Sequence, residues 1–168
     1  PGSYDAVELG RILAGRWKAI FLTLNVPAIL PDEETCRQFL GLDQIRQVMD
    51  QLSRTTLALV GVGTLDNSVF IERGVLAPGE LDELRRAGAV GEILGRFFDA
   101  GGRECDSRLR HRVVSLPLDD LRSVPDVVAV VTGADRCESV AAAIRGGLLK
   151  TLVIEEAGAA AVLQQANC

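Results

Sequence analysis

The chain has 168 residues, of which 48% are hydrophobic and 24% are charged, and its formal net charge is −5 at pH 7. This amount of apolar material is enough for one full hydrophobic core, so we expect a single compact α/β domain. The negative charge and the absence of a run of Lys or Arg exclude a surface that grips nucleic acid directly. Apolar runs end well short of the roughly 20 residues that span a bilayer, and no signal-peptide pattern opens the chain. We therefore expect a cytoplasmic protein with no membrane partner.

The cysteines are too widely spaced for a zinc site or a small disulfide scaffold. We expect reduced thiols at all four positions, Cys36, Cys105, Cys137 and Cys168. Trp, Tyr and His each occur once, which excludes a base-stacking platform and a histidine metal cluster. The composition thus predicts no metal and no cofactor.

The N-terminal part predicts one helix followed by one strand. Residues 1–3 are left out of the fold interpretation. Asp5 is the expected cap of a helix that ends near Gly15, because apolar residues recur on one side of it. The β-rich run 17–24 then predicts a strand.

Two helices and a buried strand come next. The helices are predicted over 31–40 and from a cap at Asp43 onward to residue 52, and the strand over 57–62. The strand runs into two glycines, within Gly61–Thr64, whose backbone N–H groups could approach a ligand. Such a pair is often only a tight turn. Because a third glycine and a following helix are missing, we exclude a dinucleotide fingerprint.

The middle of the chain alternates turns with short elements. A polar loop is predicted over 66–74, a helix over 78–87 and a strand over 95–98. Glu92 is a carboxylate between apolar residues, so it is either partly exposed or held by hydrogen bonds for a purpose. His111 is predicted at the start of a strand and as a surface residue rather than a catalytic base.

The C-terminal part predicts a strand, helix, strand unit. Helices are expected over 118–124 and 158–164, with strands at 127–131 and 152–154. The run 127–131 is apolar throughout, which is typical of a parallel strand that helices cover on both faces. Asp135 is the expected cap of the intervening helix, whose apolar ridge is Val140, Ile144 and Leu148. Ligands of open α/β sheets bind at the carboxyl ends of the strands, here after Val131.

Several segments together resemble a known family. They are Ala58–Thr64, Gly88–Ile93, Phe97–Asp99, Pro125 with Val127–Val131, and Ala143–Leu148. Over nearly the whole chain, these segments resemble the sugar-binding effector domain of bacterial transcriptional regulators of the SorC/DeoR type. The resemblance implies a three-layer, Rossmann-like parallel sheet, similar in fold to glucosamine-6-phosphate deaminase and ribose-5-phosphate isomerase.

The resemblance also implies a domain organisation and a set of partners. Residues 1–168 are expected to form the later part of the effector domain, with its first part and the DNA-binding helix-turn-helix outside this chain. The implied effector is a sugar, more often a phosphorylated one. Its binding would control operator DNA through the helix-turn-helix, by way of a homo-oligomer that is a dimer or a tetramer.

Site residues follow from the same resemblance. Glu92 matches an acidic residue that accepts hydrogen bonds from sugar hydroxyls. Arg136 stands where many relatives have a lysine on the effector phosphate, and the backbone of Gly133 and Ala134 would assist it at a helix start. An arginine there cannot form a Schiff base. The bland interpretation of Arg136 is a solvated cation. Two further ligand residues, Thr64 and Asn25, are placed by motif neighbourhood, and Gly63 is included as a glycine of the 61–64 turn whose backbone can approach a ligand.

Two other functions stay open at this point. An isomerase or deaminase of the same fold would need a base near the 61–64 turn, where Asp66 is the acidic candidate and the histidine is remote in sequence. Alternatively, the chain could mainly supply oligomer contacts. We favour a sensor without enzymatic activity.

Overall fold

The computed structural model describes residues 6–72 and 74–166. The predictions for residues 1–3, for Asp5 and for Cys168 therefore lie outside the described residues. The helices are α1 (Ala6–Trp17), α2 (Glu33–Leu40), α3 (Asp43–Leu52), α4 (Val69–Glu72), α5 (Pro78–Arg86), α6 (Leu118–Ser123), α7 (Cys137–Arg145) and α8 (Glu156–Ala166). The strands are β1 (Leu57–Val60), β2 (Gly63–Thr64), β3 (Ala89–Ile93), β4 (Arg96–Asp99), β5 (Asp126–Val131) and β6 (Thr151–Ile154). Of the described helices, none combines the length and the apolar character needed to cross a membrane.

Three strands form a parallel sheet in the order β1-β5-β6. β5 pairs with β1 from Leu57 opposite Asp126, and with β6 up to Val131 opposite Ile154. Its buried face carries Val127 and packs against apolar residues of α6, α7 and α8. The predicted parallel α/β arrangement is thus confirmed, and β1, β5 and β6 lie where the apolar runs predicted strands.

The second face of this sheet differs from the prediction. Leu59 is 60% exposed, Val130 49% and Val153 52%, so helices of the described chain cover one face of the parallel sheet and not both. Successive side chains of a strand point to opposite faces, and an apolar run shows only that both sets are apolar. The expectation that helices cover the strand 127–131 on both faces is therefore wrong for the described residues.

A second sheet is antiparallel, in the order β2-β3-β4. It joins the parallel sheet through the short segment between β1 and β2, and places Gly63 opposite Glu92. The predicted strand 95–98 is confirmed with a shift of one residue, as β4. β3 was not predicted, because its sequence, Ala-Val-Gly-Glu-Ile, has few strongly β-forming residues.

Three expectations about secondary structure are wrong. Residues 18–24 form no strand, since a strand needs a hydrogen-bonded neighbour and none lies beside this segment in the described part of the chain. The loop 66–74 contains the short helix α4. His111 is exposed as predicted, but it ends the 3-10 helix Arg108–His111 instead of starting a strand.

The predicted helix ends also need correction. Asp43 is the first residue of α3, whose cap is Leu42. Asp135 lies in a 3-10 turn, Ala134–Arg136, so the residue that caps α7 is Arg136. On α7 itself Val140 is buried as expected, whereas Ile144 is 47% exposed.

A buried arginine organises the loop that follows β4. Arg96 is 8% exposed. Its guanidinium donates to Glu104 Oε1 at 2.8 Å, to Ser115 Oγ at 3.0 Å and to the carbonyl of Leu116 at 3.1 Å. Buried charges are tolerated when they are paired and fully hydrogen-bonded, as here. Arg96 therefore fixes the path of the chain from Glu104 to Leu116.

Replacement of this arginine tests the assignment. Arg96→Met leaves the Glu104 carboxylate and several carbonyls without their donor, so we expect a loss of about 3–5 kcal/mol in the free energy of unfolding. Urea denaturation followed by circular dichroism measures it. The control, Arg46→Met, removes an exposed pair with Asp43 and is expected to change stability by less than about 0.5 kcal/mol. Equal effects of the two variants would contradict the organising role of Arg96.

Candidate functional site

The candidate site lies where β1 and β5 end. β5 ends at Val131, and Gly133, at a φ of 100°, turns the chain into the 3-10 turn before α7. This left-handed conformation favours glycine. The half-buried Arg136 then reaches back across the sheet and donates Nη1–H to the carbonyl of Val62 at 2.9 Å. One hydrogen bond thus connects the segment after β1 to the segment after β5.

Glu92 lies on β3 of the antiparallel sheet, next to the segment that follows β1. It is half-buried on β3, opposite Gly63. A Cβ added to Gly63 would lie 3.0 Å from Glu92 Oε2, which is tighter than ordinary van der Waals contact. Gly63 therefore leaves room for the carboxylate directly over the backbone. Glu92 Oε1 accepts a hydrogen bond from the Gly95 amide at 2.6 Å.

Burial and three neighbouring groups, Arg136 among them, determine the ionisation of Glu92. Burial raises the pKa of Glu92 above its ordinary value, and three groups oppose this rise: the Gly95 amide, the hydroxyl of Ser68 and the charge of Arg136. Arg136 Nε is buried and has no hydrogen-bond partner among the described residues. The pair thus offers a carboxylate acceptor and a guanidinium that still has a donor to satisfy.

The strand tip at Gly133 is more acidic than the sequence suggested. The Gly133 amide donates to Glu155 Oε1 at 2.7 Å. The Asp135 carboxylate lies against Gly133 and accepts a hydrogen bond from Asn67 Nδ2 at 2.5 Å. The backbone donor that was predicted to face an anion is therefore occupied by a carboxylate of the protein itself. Ala134 follows Gly133 as the exposed first residue of the 3-10 turn.

Thr64 lies beside this tip, whereas no contact among the described residues links Asn25 to it. Thr64 Oγ1 accepts a hydrogen bond from the backbone amide of Asn67 at 2.9 Å. Thr64 also lines a cleft of about 310 Å³, together with Asn67 and Asp135. Asn25 is exposed, and no hydrogen bond between described residues joins it to Glu92 or Arg136. The structure therefore places Gly63, Glu92, Arg136, Gly133, Ala134 and Thr64 at one edge of the sheet.

Sequence reasoning missed three residues of this edge, Ser68, Asn67 and Glu155. A usable signal existed only for Glu155. It follows β6 directly, and the ends of adjacent parallel strands meet at one edge of a sheet. Ser68 and Asn67 lie in the segment that the sequence presented only as a polar loop.

A wider cleft, of about 760 Å³, lies elsewhere, and the 3-10 helix Arg108–His111 contributes to its lining. Its arginines are matched internally, since Arg112 forms an ion pair with Glu80 and Arg108 pairs with Glu83 at 2.9 Å. Because these charges already satisfy each other, this cleft offers less unsatisfied binding capacity than the Arg136 edge.

Comparisons with known proteins bear on the chain as a whole. A family model for a sugar-binding domain, Sugar-bind, matches residues 2–164. The transcriptional regulator LsrR of Enterobacter sp. (strain 638) is 34% identical over 127 residues, which are 73% of this chain and 39% of the relative. The erythritol catabolism regulatory protein EryD of Brucella abortus is 29% identical over 86% of this chain and 46% of its own length. The chain thus spans less than half the length of these curated relatives.

Solved structures agree with these matches. The sugar-binding domain of a transcriptional repressor from Vibrio fischeri has a TM-score of 0.89 and 31% identity, over 98% of this chain and 66% of that one. A DeoR family transcriptional regulator from Listeria monocytogenes has a TM-score of 0.85 and 30% identity, over 89% of this chain and 61% of that one. The full-length sorbitol operon regulator SorC of Klebsiella pneumoniae shares the fold, with a TM-score of 0.80. It is 21% identical, over 90% of this chain and 49% of that one.

The raised pKa of Glu92 predicts a pH dependence of stability. The fold favours the protonated carboxyl, so this contribution is full below the unfolded value of 4.5 and is lost as the pH rises through the higher folded value. Glu92→Gln cannot ionise. We therefore expect the Tm of the wild type to fall relative to Glu92→Gln as the pH rises above 4.5.

Thermal unfolding at a series of pH values measures this difference. The matched control is Glu156→Gln, which removes an exposed carboxylate at the start of α8 and should give a curve parallel to the wild type. A Glu92→Gln curve parallel to the wild type would contradict the buried, ionisable role of Glu92.

Proposed function

This chain belongs to the Sugar-bind family of sugar-binding domains, and we propose that it is the effector-sensing module of a bacterial transcriptional regulator. The relatives LsrR and EryD are regulators, which confirms the family that the sequence motifs predicted. Operator binding would belong to the intact protein, because the chain matches only 39% of the length of LsrR. The observation that supports the sensor most strongly is the meeting of Arg136 and Glu92 at the strand ends.

Arg136 is the proposed phosphate ligand. One nitrogen of its guanidinium is held by the Val62 carbonyl, which fixes the orientation of the planar group. The remaining donors, among them the buried and unpaired Nε, can take phosphate oxygens in a charge-assisted arrangement. The pairing with Val62 makes the solvated-cation interpretation of Arg136 less attractive. A phosphorylated sugar is therefore the effector that we propose.

Glu92 is the proposed hydroxyl ligand. Its Oε1 is held by the Gly95 amide, while a carboxylate has lone pairs for further donors. Sugar hydroxyls can supply those donors and so satisfy a half-buried charge. Arg136 and Glu92 together would bind the two chemically different parts of one small molecule.

An enzyme of the same fold is less well supported. The relatives named above are transcriptional regulators. Asp66, the candidate base near the 61–64 turn, has a side chain 84% exposed and lies 3.6 Å from Arg85, a position that leaves it solvated. His111 lies at the other cleft, 3.9 Å from Glu33.

The proposed output is a change in assembly and in operator affinity. A ligand shifts a conformational equilibrium only if it binds the two conformations differently. We propose that the effector does so in a homo-oligomer, a dimer or a tetramer. Light scattering with and without a sugar phosphate would separate this sensor from a chain that merely supplies oligomer contacts, whose assembly the ligand would leave unchanged.

Calorimetric titration of the intact protein tests the assignment of the two residues. The probes are glucose 6-phosphate, fructose 6-phosphate and ribose 5-phosphate, each beside its unphosphorylated sugar. We expect Arg136→Ala to weaken binding of the phosphorylated form by about 10- to 100-fold, as for the loss of a charged hydrogen bond. Glu92→Gln should weaken both forms of the sugar by a similar factor.

The matched control is Arg46→Ala, which removes an exposed arginine on α3 and should leave both affinities unchanged. Binding of a phosphorylated sugar with undiminished affinity by Arg136→Ala would rule out the phosphate role. If none of the three sugar phosphates binds the wild type, the proposed effector class is wrong.

A further inference from the structure

The contact between Glu155 and Gly133 has a consequence for regulation. Glu155 stands between β6 and α8, and its Oε1 accepts the Gly133 amide proton at 2.7 Å, across 22 positions of the chain. The amide belongs to the turn that leads from β5 to Arg136. The carboxylate therefore lies at the proposed phosphate-binding edge.

A carboxylate and a phosphate would compete for the hydrogen bond that the Gly133 amide donates. Both are anions, and both accept a hydrogen bond from a backbone N–H group. A single N–H group that is shared between two anions forms a weaker hydrogen bond to each of them. Two anions beside one donor also repel each other. The Asp135 carboxylate, which lies against the same glycine, adds to the repulsion.

We propose that Glu155 is a built-in competitor of the effector phosphate, and that effector binding displaces its carboxylate from Gly133. This inference rests on the proposed function, since it takes the phosphate to lie beside Arg136. It adds that effector affinity is set partly by how often Glu155 occupies the amide. The apparent affinity for the effector is proportional to the fraction of molecules in which the Gly133 amide is free.

Displacement of Glu155 would act on α8. The Glu155 carbonyl accepts the Ala159 amide at 2.9 Å, so the residue belongs to the first turn of that helix. α8 is anchored on the core through the buried Val162, whereas the tie between Glu155 and Gly133 holds its start. Loss of that tie loosens the first turn while the helix stays docked. The start of α8 is thus the segment that reports occupancy of the site.

Binding of inorganic phosphate, and of the sugar phosphates used above, tests the competition on the intact protein. If Glu155 occupies the amide in about nine molecules of ten, Glu155→Ala should bind each anion roughly tenfold more tightly. The matched control Glu156→Ala changes the exposed neighbouring glutamate and should bind as the wild type does. Because Glu155 is exposed, its replacement leaves the core intact.

Hydrogen exchange gives an independent reading. Addition of the anion should speed exchange of the Ala159 amide, which donates to the Glu155 carbonyl, in the wild type, and should leave it unchanged in Glu155→Ala. Equal affinities of Glu155→Ala and the wild type, together with weaker binding by Arg136→Ala, would overturn the competition while the sensor stands. Failure of every variant to bind any of the anions would overturn the sensor and the competition together.

Discussion

The hydrogen bond from Arg136 to the Val62 carbonyl is the constraint on which the site depends. It connects the ends of two parallel strands, β1 and β5, and so fixes the distance between the turn that precedes β2 and the start of α7. The positive charge of the same guanidinium opposes the rise in the pKa of Glu92 that desolvation causes. Arg136 therefore affects both the spacing of the two strand ends and the ionisation of Glu92. A ligand that recruits Arg136 acts on both.

Three carboxylates, those of Glu92, Asp135 and Glu155, lie around this arginine. Glu92 fits over the backbone because Gly63 has no side chain. Asp135 is held by Asn67, and Glu155 is held by the Gly133 amide. A half-buried edge with several carboxylates and one partly satisfied guanidinium suits a small molecule that combines hydroxyl groups with an anion. The chain belongs to a family of sugar-binding domains, which agrees with the hydroxyl part of such a molecule.

Sequence reasoning succeeded where a local pattern decides the outcome. The apolar runs at β1, β5 and β6 predicted strands of a parallel sheet, and the residues after β5 and on β3 were assigned to one ligand site that the structure does bring to one edge. It failed where the outcome depends on neighbours. Residues 18–24 have strand composition but no strand beside them among the described residues, and Val130 and Val153 are apolar yet exposed. Glu155 was assigned no role, although its position directly after β6 placed it at the same edge; its contact with Gly133, 22 positions away, could not be read from a local pattern.

A crystal structure of the intact protein with a bound sugar phosphate tests the central claim most directly. We predict phosphate oxygens within hydrogen-bonding distance of the Arg136 guanidinium, and sugar hydroxyls that donate to Glu92. A sugar phosphate bound instead in the cleft beside His111 and Arg112, with Arg136 still holding only the Val62 carbonyl, would contradict the account.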